Sequence, residues 1–149
     1  MAIRTLEIEH CIHIDAKPQK VFQYLTGEKE LCRWFLAKAH LPAEVGATYE
    51  FVWVGGYGHR GRVEAYKKDR LLALSWPVRY GRVAGLTTAT YRLAKSGRGT
   101  KLRVTHQGFR AQKDWIEIYG ACQWGWGYFL TNLKSVLVHG RDLRAEIDE

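Results

Sequence analysis

The stretch 114–140, DWIEIYGACQWGWGYFLTNLKSVLVHG, decides how this chain reads. Trp115, Tyr119, Cys122, Trp126, Phe129, Leu133 and Val136 recur at alternating steps of four and three, laying a broad apolar and aromatic stripe along one helix. Asp114 with Glu117 three residues on predicts a capping box, and Gly140 after His139 predicts a left-handed C-terminal cap. At ~1.5 Å per residue the helix crosses a whole small domain. Gly120, Gly125 and Gly127 each cost about 1 kcal/mol relative to alanine in an exposed helix interior. They mark either close packing against a sheet or a hollow left for a ligand, and the two readings stand level.

Everything before this helix reads mainly as strands. Thr5 to Asp15 alternates, with Leu6, Ile8, His10, Ile12 and Ile14 on one face and Glu7, Glu9, Cys11, His13 and Asp15 on the other. The run HCIH therefore points its members to opposite faces, which argues against a metal site. Pro18 suits the first turn of a short helix carrying Val21, Phe22 and Leu25 and closed at Gly27. A second short helix runs from Glu28 to Phe35, and a loop through Pro42 and Gly46 follows. Then Tyr49, Phe51 and Trp53 alternate up to the hairpin signal Gly55-Gly56-Tyr57-Gly58, and Gly61, Val63 and Ala65 share one face of the return strand. Leu72, Leu74 and Trp76 form a strand broken by Pro77, and a loop from Val78 to Gly85 precedes Thr87, Ala89, Tyr91 and Leu93. After a turn at Ser96-Gly97-Arg98-Gly99, the strand of Thr100, Leu102, Val104 and His106 ends at Gln107-Gly108-Phe109. Strand, two short helices, a meander and one long helix predict an α+β arrangement with the helix covering one face of an antiparallel sheet. The tail from Arg141 to Glu149 is charged and reads as frayed.

The chain of 149 residues is one domain's worth, 1–149, and its 46% hydrophobic and 13% aromatic content is that of a folded globule. There is no membrane-length apolar run and no signal-peptide core in MAIRTLEIEH. With Cys11, Cys32 and Cys122 in no metal-type spacing, a cytoplasmic protein with reduced thiols is expected. The net charge of +8 raises nucleic acid as a partner. The basic residues are scattered over turns and polar strand faces without any recognition motif, so no specific nucleic-acid binding is expected. No elbow surrounds a serine, no phosphate-binding glycine loop occurs, and no cofactor or metal is implied.

Several segments, taken in order, carry a resemblance to a known family. IHIDAKPQKVFQYLTGEKELCRWF, GATYEF, GRVEAY, GRGTKLRVTHQGF and WGWGYFLTNLKSVLVHG together resemble the bacterial proteins similar to the C-terminal domain of the activator of the heat-shock-protein-90 ATPase, of the START-like (SRPBCC) superfamily. The resemblance implies a helix-grip fold, in which a curved seven-stranded antiparallel sheet grips the C-terminal helix around an internal cavity. It implies binding of an apolar or aromatic small molecule, with a polyketide cyclase or dehydratase and a chaperone-directed interaction module as alternatives. Here the helix is richer in tryptophan and glycine than expected of a typical member. The candidate ligand-binding residues are His10, Trp34, Phe51, Trp53, Val63, Trp76, Thr87, Tyr91, His106, Tyr119, Cys122, Trp126 and Phe129. If the first strand pairs with the last, His10 and His106 become neighbours near Cys122 or Trp126. Two imidazoles could act as acid and base, but no inward carboxylate orients them, which favours core histidines. No catalytic residue is therefore assigned.

Overall fold

The computed structural model describes residues 4–147, with side chains up to 145. Its seven strands are β1 (Thr5–Ile14), β2 (Lys38–His40), β3 (Thr48–Val52), β4 (Gly58–Lys67), β5 (Leu71–Tyr80), β6 (Val83–Ser96) and β7 (Gly99–Arg110). Helices α1 (Pro18–Thr26) and α2 (Glu28–Trp34) follow β1, and α3 (Ile116–His139) and the short α4 (Arg144–Ile147) follow β7. The sheet order is β1-β7-β6-β5-β4-β3-β2, antiparallel throughout. This is the helix-grip arrangement that the resemblance implies.

The alternation in sequence becomes rows across the sheet. Ile8 pairs with His106, His106 with Ala89, and Ala89 with Leu74, which in turn opposes Val63. All five are buried on the face that α3 covers. The V formed by α1 and α2 fills one end of this face, where Phe22 meets Tyr66 edge to face. At the other end, between the β3–β4 and β5–β6 turns, aromatic side chains, the end of β5 and the first half of α3 surround an opening.

Several expectations are corrected. Pro77 does not break its strand, and the expected loop from Val78 to Gly85 is instead a continuation of β5 and β6 to a two-residue turn at Gly81-Arg82. The carbonyl of Ser75 faces β4, where Tyr49 reaches it. Two residues on, Pro77 faces the same side, but β4 pairing with β5 ends at the Val63–Leu74 pair. No ladder bond is lost there, so proline is tolerated. The loop through Pro42 is preceded by the edge strand β2, and β1 ends at Ile14 rather than Asp15.

Leu6, placed inward by alternation, is exposed because the register shifts between Leu6 and Glu7. Opposite lies Gly108, at φ 99°, which is the extra residue of a bulge and needs glycine's freedom. The capping box at Asp114 and Glu117 does not form; the chain enters α3 through a 3-10 turn, Lys113–Trp115, without a side-chain cap. Gly140 does take the left-handed C-terminal position, at φ 66°. The tail is tied down through residue 144 rather than frayed, and residues 148 and 149 lie outside the described part. Arg144 binds Asp142 and donates to the carbonyls of Cys32 and Leu36, while buried Asn132 donates to the Trp34 carbonyl and to Asp142.

The α3 glycines are not sites of close packing. A Cβ at Gly120 or Gly125 would meet nothing within 4 Å, and one at Gly127 only the His10 ring at 3.7 Å. Gly120→Ala, exposed and helical, is therefore expected to stabilise the protein by about 0.5–1 kcal/mol, read as a raised urea midpoint at unchanged slope.

Candidate functional site

A cavity of about 410 Å³ opens between the free end of the sheet and the first half of α3. Its walls are Phe35 at the end of α2, Trp53 after β3, Trp76, Pro77 and Val78 of β5, and Ile118, Cys122, Trp126 and Phe129 of α3. Gly125 faces the cavity, and the empty space at its missing Cβ is part of the opening. Tyr57, Tyr80 and Trp124 stand exposed at the mouth.

Phe35 is the hub of the wall. Its ring stacks on Trp34 at 4.7 Å and meets Phe129 at 4.9 Å and Trp53 at 5.4 Å, both edge to face. Such pairs add about 0.5–1.5 kcal/mol each beyond their area burial, so the wall keeps its shape without polar bonds. Polar groups are few. Burial pushes the Cys122 thiol up to about 11, leaving it protonated and a poor nucleophile near neutrality. Burial, and then the neighbouring Cys122, raise the Tyr57 phenol.

Of the residues expected to bind ligand, Trp53, Trp76, Cys122, Trp126 and Phe129 line this cavity. Trp34, Phe51, Val63 and Tyr91 are fully buried behind it. Tyr119 donates from its hydroxyl to the Glu7 carbonyl at 3.2 Å and borders a separate groove by Trp115 and Ile116. His10 faces α3 as alternation predicts, at the open margin of the sheet, where its Nε2 is 3.0 Å from the Gln123 amide oxygen. Its half-buried ring meets α3 beside Gly127 rather than the core.

Thr87 and His106 form a polar chain inside the core. The Trp126 indole N–H donates to His106 Nδ1 at 2.9 Å. Nδ1 is thus the acceptor, and Nε2–H must donate to the Thr87 hydroxyl at 2.6 Å, which in turn donates to the Trp76 carbonyl at 2.6 Å. Every group in the chain has its partner. Burial holds the imidazole neutral, its pKa pushed down to about 3, with neighbouring His59 adding to the effect. His10, bonded to Gln123, and His106, bonded to Trp126 and Thr87, do not converge on one point as an acid and base would, and Tyr119 is bonded elsewhere, to the Glu7 carbonyl.

His59, which the sequence reading passed over, sits just behind the wall. Alternation was the available signal: it is two residues before Gly61 and four before Val63, on the same inward face. Its Nε2 is 2.8 Å from the Tyr49 hydroxyl, whose single proton goes to the Ser75 carbonyl at 2.6 Å. Gly61 makes this possible, since a Cβ there would strike the Tyr49 ring and the Ser75 carbonyl. Burial lowers the His59 pKa to about 4. Among the described residues no group of three or more His, Cys, Asp and Glu side chains is placed to hold a metal ion.

Both histidines titrate below their ordinary value of about 6.5, so the unfolded chain binds more protons at mildly acid pH. Their contribution is complete above about pH 6.5 and is lost as pH falls towards 4 and 3, by up to about 1.4 kcal/mol per pH unit for each ring. Denaturant unfolding across pH 7 to 4 should show this slope, and His59→Phe should make it shallower. Thr87→Val leaves His106 Nε2–H unpartnered and should cost about 1–3 kcal/mol, measured by the same unfolding curves.

With this geometry established, comparison with solved structures finds close architectural relatives. A dimeric Aha1 from Colwellia psychrerythraea is 26% identical, with a TM-score of 0.76 over 91% of this chain and 98% of that one. A protein of Mesorhizobium loti is 24% identical, with a TM-score of 0.78 over 90% and 96%. A protein of the dynemicin biosynthetic locus, 16% identical, has a TM-score of 0.76 over 91% of this chain and 48% of its own. Comparison with curated proteins finds no match. Among the described residues no helix is long and apolar enough to cross a membrane. The model of the family described as activator of Hsp90 ATPase homolog 1-like protein matches residues 15–138, and the chain belongs to that family.

Proposed function

We propose that this chain, as one START-like domain over residues 1–149, binds an apolar, largely aromatic small molecule in the cavity between the sheet and α3. The observation that carries the reading is the cavity itself. Its volume, about 410 Å³, falls within the roughly 300–1,000 Å³ of ordinary small-molecule sites. Three tryptophans and two phenylalanines form its deeper wall, a surface suited to flat apolar rings. A glycine-bearing helix face opposite them meets nothing at Gly125, although a larger residue would both fill the space and strengthen the helix. The fold is one known for ligand binding, which agrees with this reading.

Turnover has no comparable support. The cavity presents a thiol held protonated, with the exposed Arg79 guanidinium and phenols at its mouth, and the fully bonded His106 is not among its lining residues. The proposed activity is therefore binding.

The test is titration of the purified protein with N-phenyl-1-naphthylamine, read through tryptophan quenching and native mass spectrometry. Saturation at one equivalent is expected. Gly125→Leu should weaken binding at least about tenfold by filling the cavity, without lowering the thermal midpoint, because leucine is a better helix former by about 0.8 kcal/mol. Equal binding by both proteins, or no saturable binding to the wild type, overturns the reading.

A further inference from the structure

His59 stands just beyond the lining residues of the cavity, against Trp53 and Trp76. Tyr49 has one proton and gives it to the Ser75 carbonyl, so its oxygen can only accept from His59 Nε2–H. That fixes the tautomer: Nδ1 carries a lone pair and no hydrogen. This nitrogen is buried and has no hydrogen-bond partner, alone in that respect among buried side-chain nitrogen and oxygen atoms of the described residues. Native proteins leave few such groups, and each calls for an explanation.

The surroundings supply one. The imidazole lies 4.7 Å from the Trp76 ring and 5.1 Å from the Trp53 ring, centroid to centroid, and both indoles line the cavity. Trp76 is held from its other side by His106 at 5.8 Å. Trp53 is less confined: it is half-buried, follows the last residue of β3, and begins the turn that contains Gly55 and Gly56. Of the two indoles beside His59, Trp53 is therefore the one with room to move.

Resting on the cavity reading above, we propose that His59 Nδ1 accepts a hydrogen bond from the bound molecule, which is therefore an aromatic compound carrying a hydroxyl or N–H donor, as a phenol does. A carboxylate or ketone of the same shape offers Nδ1 no proton and leaves it unpaired. Sites that hold a buried acceptor discriminate against analogues lacking the donor for this reason. Neutral imidazole is required, and burial keeps it so near pH 7.

The test compares 2-naphthol with naphthalene, a matched pair that differs in one donor, on wild type and on His59→Phe at pH 7. Wild type should bind 2-naphthol about tenfold tighter than naphthalene, the factor that a net hydrogen bond to a neutral group supports. His59→Phe should erase that preference, so that the two compounds bind alike. Nitrogen-15 NMR gives an independent reading on the unmodified protein: the Nδ1 resonance of His59 moves upfield with 2-naphthol and stays with naphthalene. Binding of both compounds without preference, or a preference that survives in His59→Phe or leaves the Nδ1 resonance unmoved, overturns the assignment while sparing the cavity reading. Failure of both compounds to bind overturns the two together.

Discussion

The hydrogen bond from the Trp126 indole to buried His106 sets how the long helix sits on the sheet. Apolar packing alone is tolerant of sliding, because one ring can replace another at little cost. A buried N–H cannot slide: losing its acceptor costs about 1–3 kcal/mol. His106 is itself held by Thr87, and Thr87 by the Trp76 backbone, so the constraint passes from α3 through β7 and β6 into β5. With Trp126 fixed, Phe129 one turn later falls against Phe35, and Gly125 one residue earlier faces the cavity. The cavity's position follows from one polar chain.

How much of this was legible in sequence differs by feature. The stripe from Trp115 to Val136 and the inward rows of the strands could be read, because period and alternation report which face a side chain occupies. Depth along the face could not. Trp34, Phe51, Val63 and Tyr91 point inward as expected yet are fully buried, while Trp53 and Trp76 stay open to the cavity. That division depends on where a distant helix pair lands, and no local spacing encodes it. Phe35 illustrates the same limit. Its place at the end of a short helix gave no sign that six aromatic rings would gather around it.

Other misreadings have local causes. Leu6 obeys strict alternation on paper, but one inserted residue at Gly108 shifts the register, and the strand end rises out of the core. Strand β2, Lys-Ala-His, is three residues on the sheet edge with no apolar pattern to betray it. Pro77 looks like a breaker because the departure of β4 is a property of the assembled sheet. Each is a case of tertiary context overruling a correct local rule.

Buried His106 and partly buried His59 show why hydrogen-bond accounting separates structure from function where titration does not. Burial depresses both, to about 3 for His106 and about 4 for His59, and both flank the Trp76 ring. By acidity alone they are the same kind of residue. His106 has two nitrogens and two partners, so any ligand that bonded to it would first have to break a bond of equal quality. His59 has two nitrogens and one partner, so a donor arriving at Nδ1 breaks no hydrogen bond in the protein. The free energy that a ligand can gain is the bond the protein has left unmade. In a wall of rings that offers shape but little direction, that unmade bond is what can tell one flat molecule from another.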